Sequence, residues 1–208
     1  MPDPVCVRCR GTLRTPESAG EWTCDAHGVV EPLHPARPAE VHHITDAASS
    51  SGVPVWVPWP MPPGWAVSGV RRTGGTGTSR AVAVALMGPG LTARQAELVI
   101  VAEEPGVGLG ASYAGLDTTD PGPELASLPR DTKVTAGGHP TPLWSLPVSD
   151  RAAYVGEAGG LWLWAVAWPV EEWIVVHDDL RLVDVRDPAN RTLLPELPTA
   201  LLSPRLAD

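Results

Sequence analysis

From Leu161 to Trp168 every residue is apolar, and bulky side chains alternate with smaller ones. Successive side chains of an extended chain point to opposite faces. Trp162, Trp164, Val166 and Trp168 therefore share one face, and Leu161, Leu163, Ala165 and Ala167 the other. With both faces apolar, this segment is predicted to be a central strand covered on both sides. Further candidate strands run 66–71, 81–87, 98–103, 132–136, 142–146, 152–157, 172–177 and 180–185, broken by glycine and proline. Gly74-Gly75-Thr76-Gly77-Thr78 joins the first two of these, and Gly88-Pro89-Gly90 ends the second. Gly159-Gly160 and Asp178-Asp179 are positioned to reverse the chain between later pairs. Thr92 and Gln95 resemble a capping box, with room for only a short helical turn before Leu98. The pattern predicts a mainly β protein (or α+β with few short helices) whose antiparallel β-rich domain is a sandwich or a half-open barrel.

Periodicity fades upstream of residue 66. Residues 32–63 carry eight prolines, which predicts a Pro/Ser-rich linker over 32–55, mobile near Ala47–Gly52. In the segment 53–65, proline falls on nearly alternate positions, excluding a helix and a central strand. We expect a polyproline-like arm over 56–65 whose Trp56, Trp59 and Trp65 fill a groove on the protein's own core. The organisation expected is a metal-held unit at 1–31, the linker, a core domain at 56–188 that includes the arm, and a tail at 189–208.

All three cysteines lie in the first 24 residues, an odd and local set that makes a poor disulfide framework. Their spacing is C-x2-C-x14-C-x2-H, built from Cys6, Cys9, Cys24 and His27. Each short pair can form a knuckle in which two side chains converge on one ion while backbone N–H groups point at sulfur. Gly11 and Gly28 permit the turns that follow. The intervening residues suit a hairpin, with 12–14 going out and 21–23 returning. Three thiolates and one imidazole form the closed donor set that structural zinc prefers; His34 is the alternative fourth ligand.

The two knuckles give residues 6–28 a resemblance to the zinc-ribbon family, with His27 where a fourth cysteine is more usual. Trp56–Trp65, Val101–Ala111 and Gly138–Trp144 together look like an uncharacterised actinobacterial family whose members sometimes carry a phosphotransacetylase label. That label implies a basic pocket for phosphate and coenzyme A, whereas residues 46–208 hold 11 basic against 18 acidic residues.

Charge narrows the functions further. The chain carries a formal net charge of −9, which repels phosphate backbones and anionic membranes. The longest apolar stretch, 159–170, falls short of the roughly 20 residues a membrane-spanning helix needs. Met1–Val5 shows neither a basic start nor an apolar run, so no signal peptide is expected. Together with three thiols kept as ligands, this points to a cytoplasmic protein.

Two other features could carry chemistry. Gly106, Gly108, Gly110 and Ser112 follow a strand and could open a helix, the placement of an anion-binding loop. The spacing G-x-G-x-G matches neither the dinucleotide nor the phosphate-loop motif, and Glu103-Glu104 just before it would repel phosphate. We expect one of these glutamates to point inward and the other outward. Ser112 with His139 or His177 and neighbouring acids could be arranged as a triad, although the strand–turn–helix elbow spacing is absent. Arg8, Arg10 and Arg14 put three positive charges beside the first knuckle and, with Trp56 and Trp59, are the candidate partner-binding residues. The reading reached is a zinc-binding, non-enzymatic protein-recognition or regulatory module with a protein partner. The alternatives are an enzyme transferring phosphate or acyl groups at loop 103–113, and nucleic-acid contact through the ribbon.

Overall fold

The computed structural model describes residues 3–15, 21–75, 77–90, 95–127, 130–176 and 180–207. Four two-residue strands come first: β1 (Val5–Cys6), β2 (Thr23–Cys24), β3 (Gly28–Val29) and β4 (Pro32–Leu33). Helix α1 (Val41–Ser49) precedes β5 (Trp56–Pro58), β6 (Ala66–Arg72), β7 (Ala81–Pro89) and β8 (Gln95–Glu103). After helix α2 (Leu109–Ala114) come β9 (Thr132–Ala136), β10 (His139–Ser145), β11 (Ala152–Ala158), β12 (Leu161–Trp168) and β13 (Arg181–Asp184). Two single-turn helices, α3 (Pro188–Arg191) and α4 (Pro204–Ala207), complete the chain.

Nine of these strands form one curled, half-barrel sheet in the order β5-β13-β9-β10-β11-β12-β8-β7-β6. The protein is mostly β with few short helices. All neighbours are antiparallel except β13 and β9, which run parallel. β12 lies between β11 and β8, and its faces divide as the alternation requires. Leu163, Ala165 and Ala167 join one core with α1, Trp56, Trp65 and Leu197. Trp164, Val166 and Trp168 join a second core with α2, Val7, Leu33 and Leu206.

The sequence expectations need four corrections. The proposed linker contains helix α1, whose Ile44, Ala47 and Ala48 are buried at the i, i+3, i+4 spacing of one helical face; its C-terminal end overlaps the stretch expected to be mobile. The arm does pack on its own core, but Trp56–Pro58 does so as an edge strand paired with β13, where proline is tolerated. In place of a strand at 172–177, the chain makes a 3₁₀ turn over Val170–Val175. Pro169 lacks an N–H for a ladder, and its carbonyl instead accepts from the N–H of Glu172. β8 begins at Gln95, and the rest of the proposed capping box lies outside the described residues, as do Asp178-Asp179.

Segments 34–37 and 198–200 both lie along the edge strand β6. Arg37 and Val70 exchange backbone hydrogen bonds of 2.8 and 2.9 Å, and the N–H of His34 donates to Arg72. From the tail, the N–H of Ala200 donates to Val67, whose own N–H donates to Pro198. Gly69, beside a bulge in β6, permits this convergence: a Cβ there would lie 2.6 Å from Leu202 and 2.8 Å from the carbonyl of Arg37.

Candidate metal centre

Cys6 and Cys9 flank a tight turn in which the N–H of Arg10 donates to the carbonyl of Cys6 and that of Cys6 to Gly11. Arg10 closes it at φ 62°, a left-handed conformation costly for a residue with a side chain. Gly11 leaves room for the sulfur, since a Cβ there would sit 3.2 Å from Cys9 Sγ. The second knuckle runs from β2 into β3, with Gly28 at φ 68°. Backbone N–H groups of Arg8 and Cys9 face Cys6, and those of Ala26 and His27 face Cys24. Between the knuckles, the N–H of Arg14 donates to Thr23 at 2.9 Å, joining the two arms of the expected hairpin.

The four ligand atoms lie within 4.8 Å of one another. Cys9 Sγ is 3.7 Å from Cys24 Sγ, while His27 Nδ1 is 3.6 Å from Cys6 Sγ and 3.7 Å from Cys24 Sγ. A disulfide is excluded for the Cys9–Cys24 pair, since it needs about 2.05 Å. A tetrahedral zinc with Zn–S near 2.3 Å and Zn–N near 2.05 Å would set sulfurs about 3.8 Å apart and sulfur to nitrogen about 3.6 Å. The donor set thus fits such an ion and can hold a metal. His34 is not part of it; its Nε2 donates to the carbonyl of Gly74 at 2.7 Å. Burial pushes the Cys6 thiol up to about 11, whereas the N–H of Ala26, with further help from His27 and Cys6, brings Cys24 down to about 6. Cys6 is therefore costly to ionise without a cation, whereas Cys24 is already poised to bind one. Its own apolar support is small: Leu13, with Trp22 and Val30 partly buried. A second group, Glu40, His42 and His43, also has its ligand atoms within 4.8 Å, but the two N-terminal members are exposed.

The metal-binding segment is docked on the sheet by the arginines beside it. Arg8 donates to the carbonyl of Asp117 at 2.7 Å, and its own carbonyl accepts from Ser112 Oγ at 3.2 Å. Arg10 places its guanidinium 5.1 Å over the Tyr113 ring and donates to the carbonyl of Val7; burial lowers its pKa. Arg14 alone of the three is exposed, paired with Asp25 at 2.6 Å. Val7 and Leu33 are buried in the core beneath, and Arg80 ties Glu31 at 3.0 Å to Glu104 at 2.7 Å. Trp56 is buried and Trp59 half-buried, so the proposed partner-binding residues form no common exposed face.

The glycine-rich loop does open a helix, α2, but its amides are engaged by the protein's own carboxylates. Glu103 accepts from the N–H of Leu109 at 2.7 Å and of Gly110 at 3.2 Å. Asp120 accepts from the N–H of Gly106 at 2.9 Å and from the Trp162 indole at 2.7 Å. Gly108 caps the helix at φ 87°. Gly110 lies against the ring of Trp164, where a Cβ would come within 2.1 Å. Glu103 is fully buried, and burial pushes it up to about 8 against the pull of those backbone donors. Glu104 faces outward to Arg80, so the inward and outward pair is as expected. Ser112 is spent on Arg8, and His139 begins β10 across the sheet, separated by β11 and β12 from β8, against which α2 packs. His177 lies outside the described residues.

One set of residues escaped the sequence reading: His34, Arg37, Arg71 and Arg72 face a common cleft. The available signal was the Arg71-Arg72 pair at the end of a largely buried strand.

A family model matches residues 1–206, nearly the whole chain. The protein belongs to DUF6758, a family of unknown function. No curated protein and no solved structure matches this DUF6758 chain. Among its described residues, no helix is long and apolar enough to cross a membrane.

Proposed function

We propose that this protein is a zinc-binding, non-enzymatic module for protein recognition or regulation, with residues 1–31 acting as a zinc ribbon in a reducing cytoplasm. The observation that carries the metal assignment is the convergence of three sulfurs and one imidazole nitrogen within 4.8 Å, with three of their separations at 3.6–3.7 Å. Such a set leaves no position for substrate water, which favours a structural ion. The ion would supply the cross-link that the three-residue core around Leu13 cannot.

Recognition rather than catalysis is favoured by what lies around the centre. The β2–β3 hairpin presents Val29, 59% exposed, beside a cleft of about 320 Å³ lined by Trp22, His27, Glu31 and Arg80. Val29 shares this cleft with Trp22 and Val30, an apolar group on one hairpin that suits a protein contact. The enzymatic alternative loses its best loop, because the amides of Gly106, Leu109 and Gly110 are already satisfied. Contact with nucleic acid is left with Arg14 as its one exposed arginine of the three.

Elemental analysis of the purified chain is expected to return one zinc per molecule, with Cys24→Ala losing it. Pulldown with the intact chain should retain a protein partner that Val29→Asp or chelation releases. A folded, metal-free chain would end the zinc assignment, and a partner set indifferent to Val29 would end the recognition role.

A further inference from the structure

A cleft of about 530 Å³ opens between α1, β6 and the segment leading from β4 into α1. Its walls carry Arg37, Arg71 and Arg72 together with His34, His42 and His43. Two carboxylates, Asp3 and Asp46, also line it. Of the groups that line it, three arginines face two carboxylates, with Glu40 paired to His42 at 3.4 Å beside them, a concentration of arginine in a chain whose net charge is −9. The volume falls within the range of about 300–1,000 Å³ typical of small-molecule sites. Pro35, Ala47 and Val70 give it an apolar floor.

The polar groups are held in place before any ligand arrives. Arg71 is buried, its Nε donating to the carbonyl of His34 at 2.9 Å and its Nη1 to that of Leu206 at 2.8 Å. Those two bonds orient the guanidinium. Arg72 is held by Ser79 Oγ at 3.2 Å, and the main chain that carries Arg37 is pinned to Val70. The bond from His34 Nε2 to Gly74 fixes the neutral tautomer, which leaves Nδ1 as an acceptor. Burial, followed by the nearby charges of Arg72 and Arg37, lowers the His34 pKa, an internal sign that the potential there is positive. His43 Nδ1 donates to the carbonyl of Pro38 at 3.0 Å, leaving its Nε2 for a ligand.

We propose that this cleft binds a small organic oxyanion, a phosphate monoester or a polycarboxylate, with its charged head on the arginines and its body on Pro35, Ala47 and Val70. Planar guanidinium forks match carboxylate and phosphate oxygens bidentately. The apolar floor and the volume argue for a ligand larger than a bare phosphate ion. The neutral His34 adds an acceptor for a ligand hydroxyl.

The test is calorimetric titration of the metal-loaded full chain with adenosine monophosphate and with citrate, at low ionic strength and against matched chloride. Saturable one-to-one binding is expected for at least one of them, with amide shifts at Val70–Arg72. Adenosine monophosphate alone would identify the phosphate monoester, citrate alone the polycarboxylate, and both a general oxyanion site. Arg37→Gln and Arg72→Gln should each weaken binding about tenfold, equivalent to about 1.4 kcal/mol, while Arg72→Lys keeps part of it and metal content is unchanged. No saturable binding of either probe, or affinity unchanged in both glutamine variants, overturns the proposal. If a glutamine variant fails to fold, the site of the amide shifts in the unmodified protein decides.

Discussion

Replacing Glu103 by glutamine tests whether a fully buried carboxyl is the reason that α2 starts where it does. Glu103 titrates near 4.5 in an unfolded chain and near 8 in the folded one. Between these values the folded protein keeps a proton that the unfolded chain has released, so stability falls as pH rises. The slope from one such group is about 1.4 kcal/mol per pH unit. From pH 4.5 to 8 the loss reaches at most about 5 kcal/mol, comparable to the whole stability of a small domain. Glu103→Gln removes the titration while its carboxamide oxygen can still accept from Leu109. Its NH₂ would then meet the N–H of Gly110, so at pH 5 the variant should be less stable by about 1–2 kcal/mol. As pH rises the wild type should lose this advantage, and the two should cross before pH 8. Urea unfolding followed by tryptophan fluorescence at pH 5, 6, 7 and 8 measures the difference, and because both proteins share the metal centre its own pH dependence cancels. Parallel stability curves for the two proteins would refute the reasoning, leaving Glu103 as an ordinary ionised cap.

Gly110→Ala should destabilise by about 1–3 kcal/mol despite alanine's higher helix propensity, because its Cβ has only 2.1 Å to Trp164; a raised unfolding midpoint would contradict the close packing. Arg10→Gly should cost less stability than Arg10→Ala, since both lose the contact with Tyr113 and glycine relieves the positive φ, worth about 1–2 kcal/mol; equal losses in denaturant titration would argue against strain there. Metal removal by chelator should raise hydrogen exchange in residues 5–33 first and then in α2, where Ser112 grips Arg8. Exchange confined to residues 5–33 would mean that the docking contacts survive without the ion.

What the sequence made legible depended on whether a pattern was local. The two faces of β12 and the two knuckles each lie within a few residues, and both came through. The fate of Glu103 was half legible: its position at a strand end suggested an inward carboxyl, but not that it would bind the amides of its own loop. Helix α1 was missed because its buried stripe is mostly alanine, a weak signal beside the surrounding prolines. The parallel pairing of β13 with β9 was out of reach, since register between distant strands leaves no periodic trace. The cleft at Arg71-Arg72 was hidden for the same reason, its walls coming from three separate stretches of chain.

An open sheet has two edges, and an uncovered edge is where one chain can recruit another into an aggregate. On β6 that hazard is met by strands of chain from opposite ends, residues 34–37 and 198–200. The cover is complete only after residues 198–200 have left the ribosome. Until then β6 presents free backbone groups, so the nascent protein passes through a sticky interval that a finished molecule never shows. A chain ended by a stop codon just after Leu197 would live permanently in that interval. It would keep the metal knuckles and the central strand but lose both the cover over Val67 and the buried Leu206, and should collect in inclusion bodies.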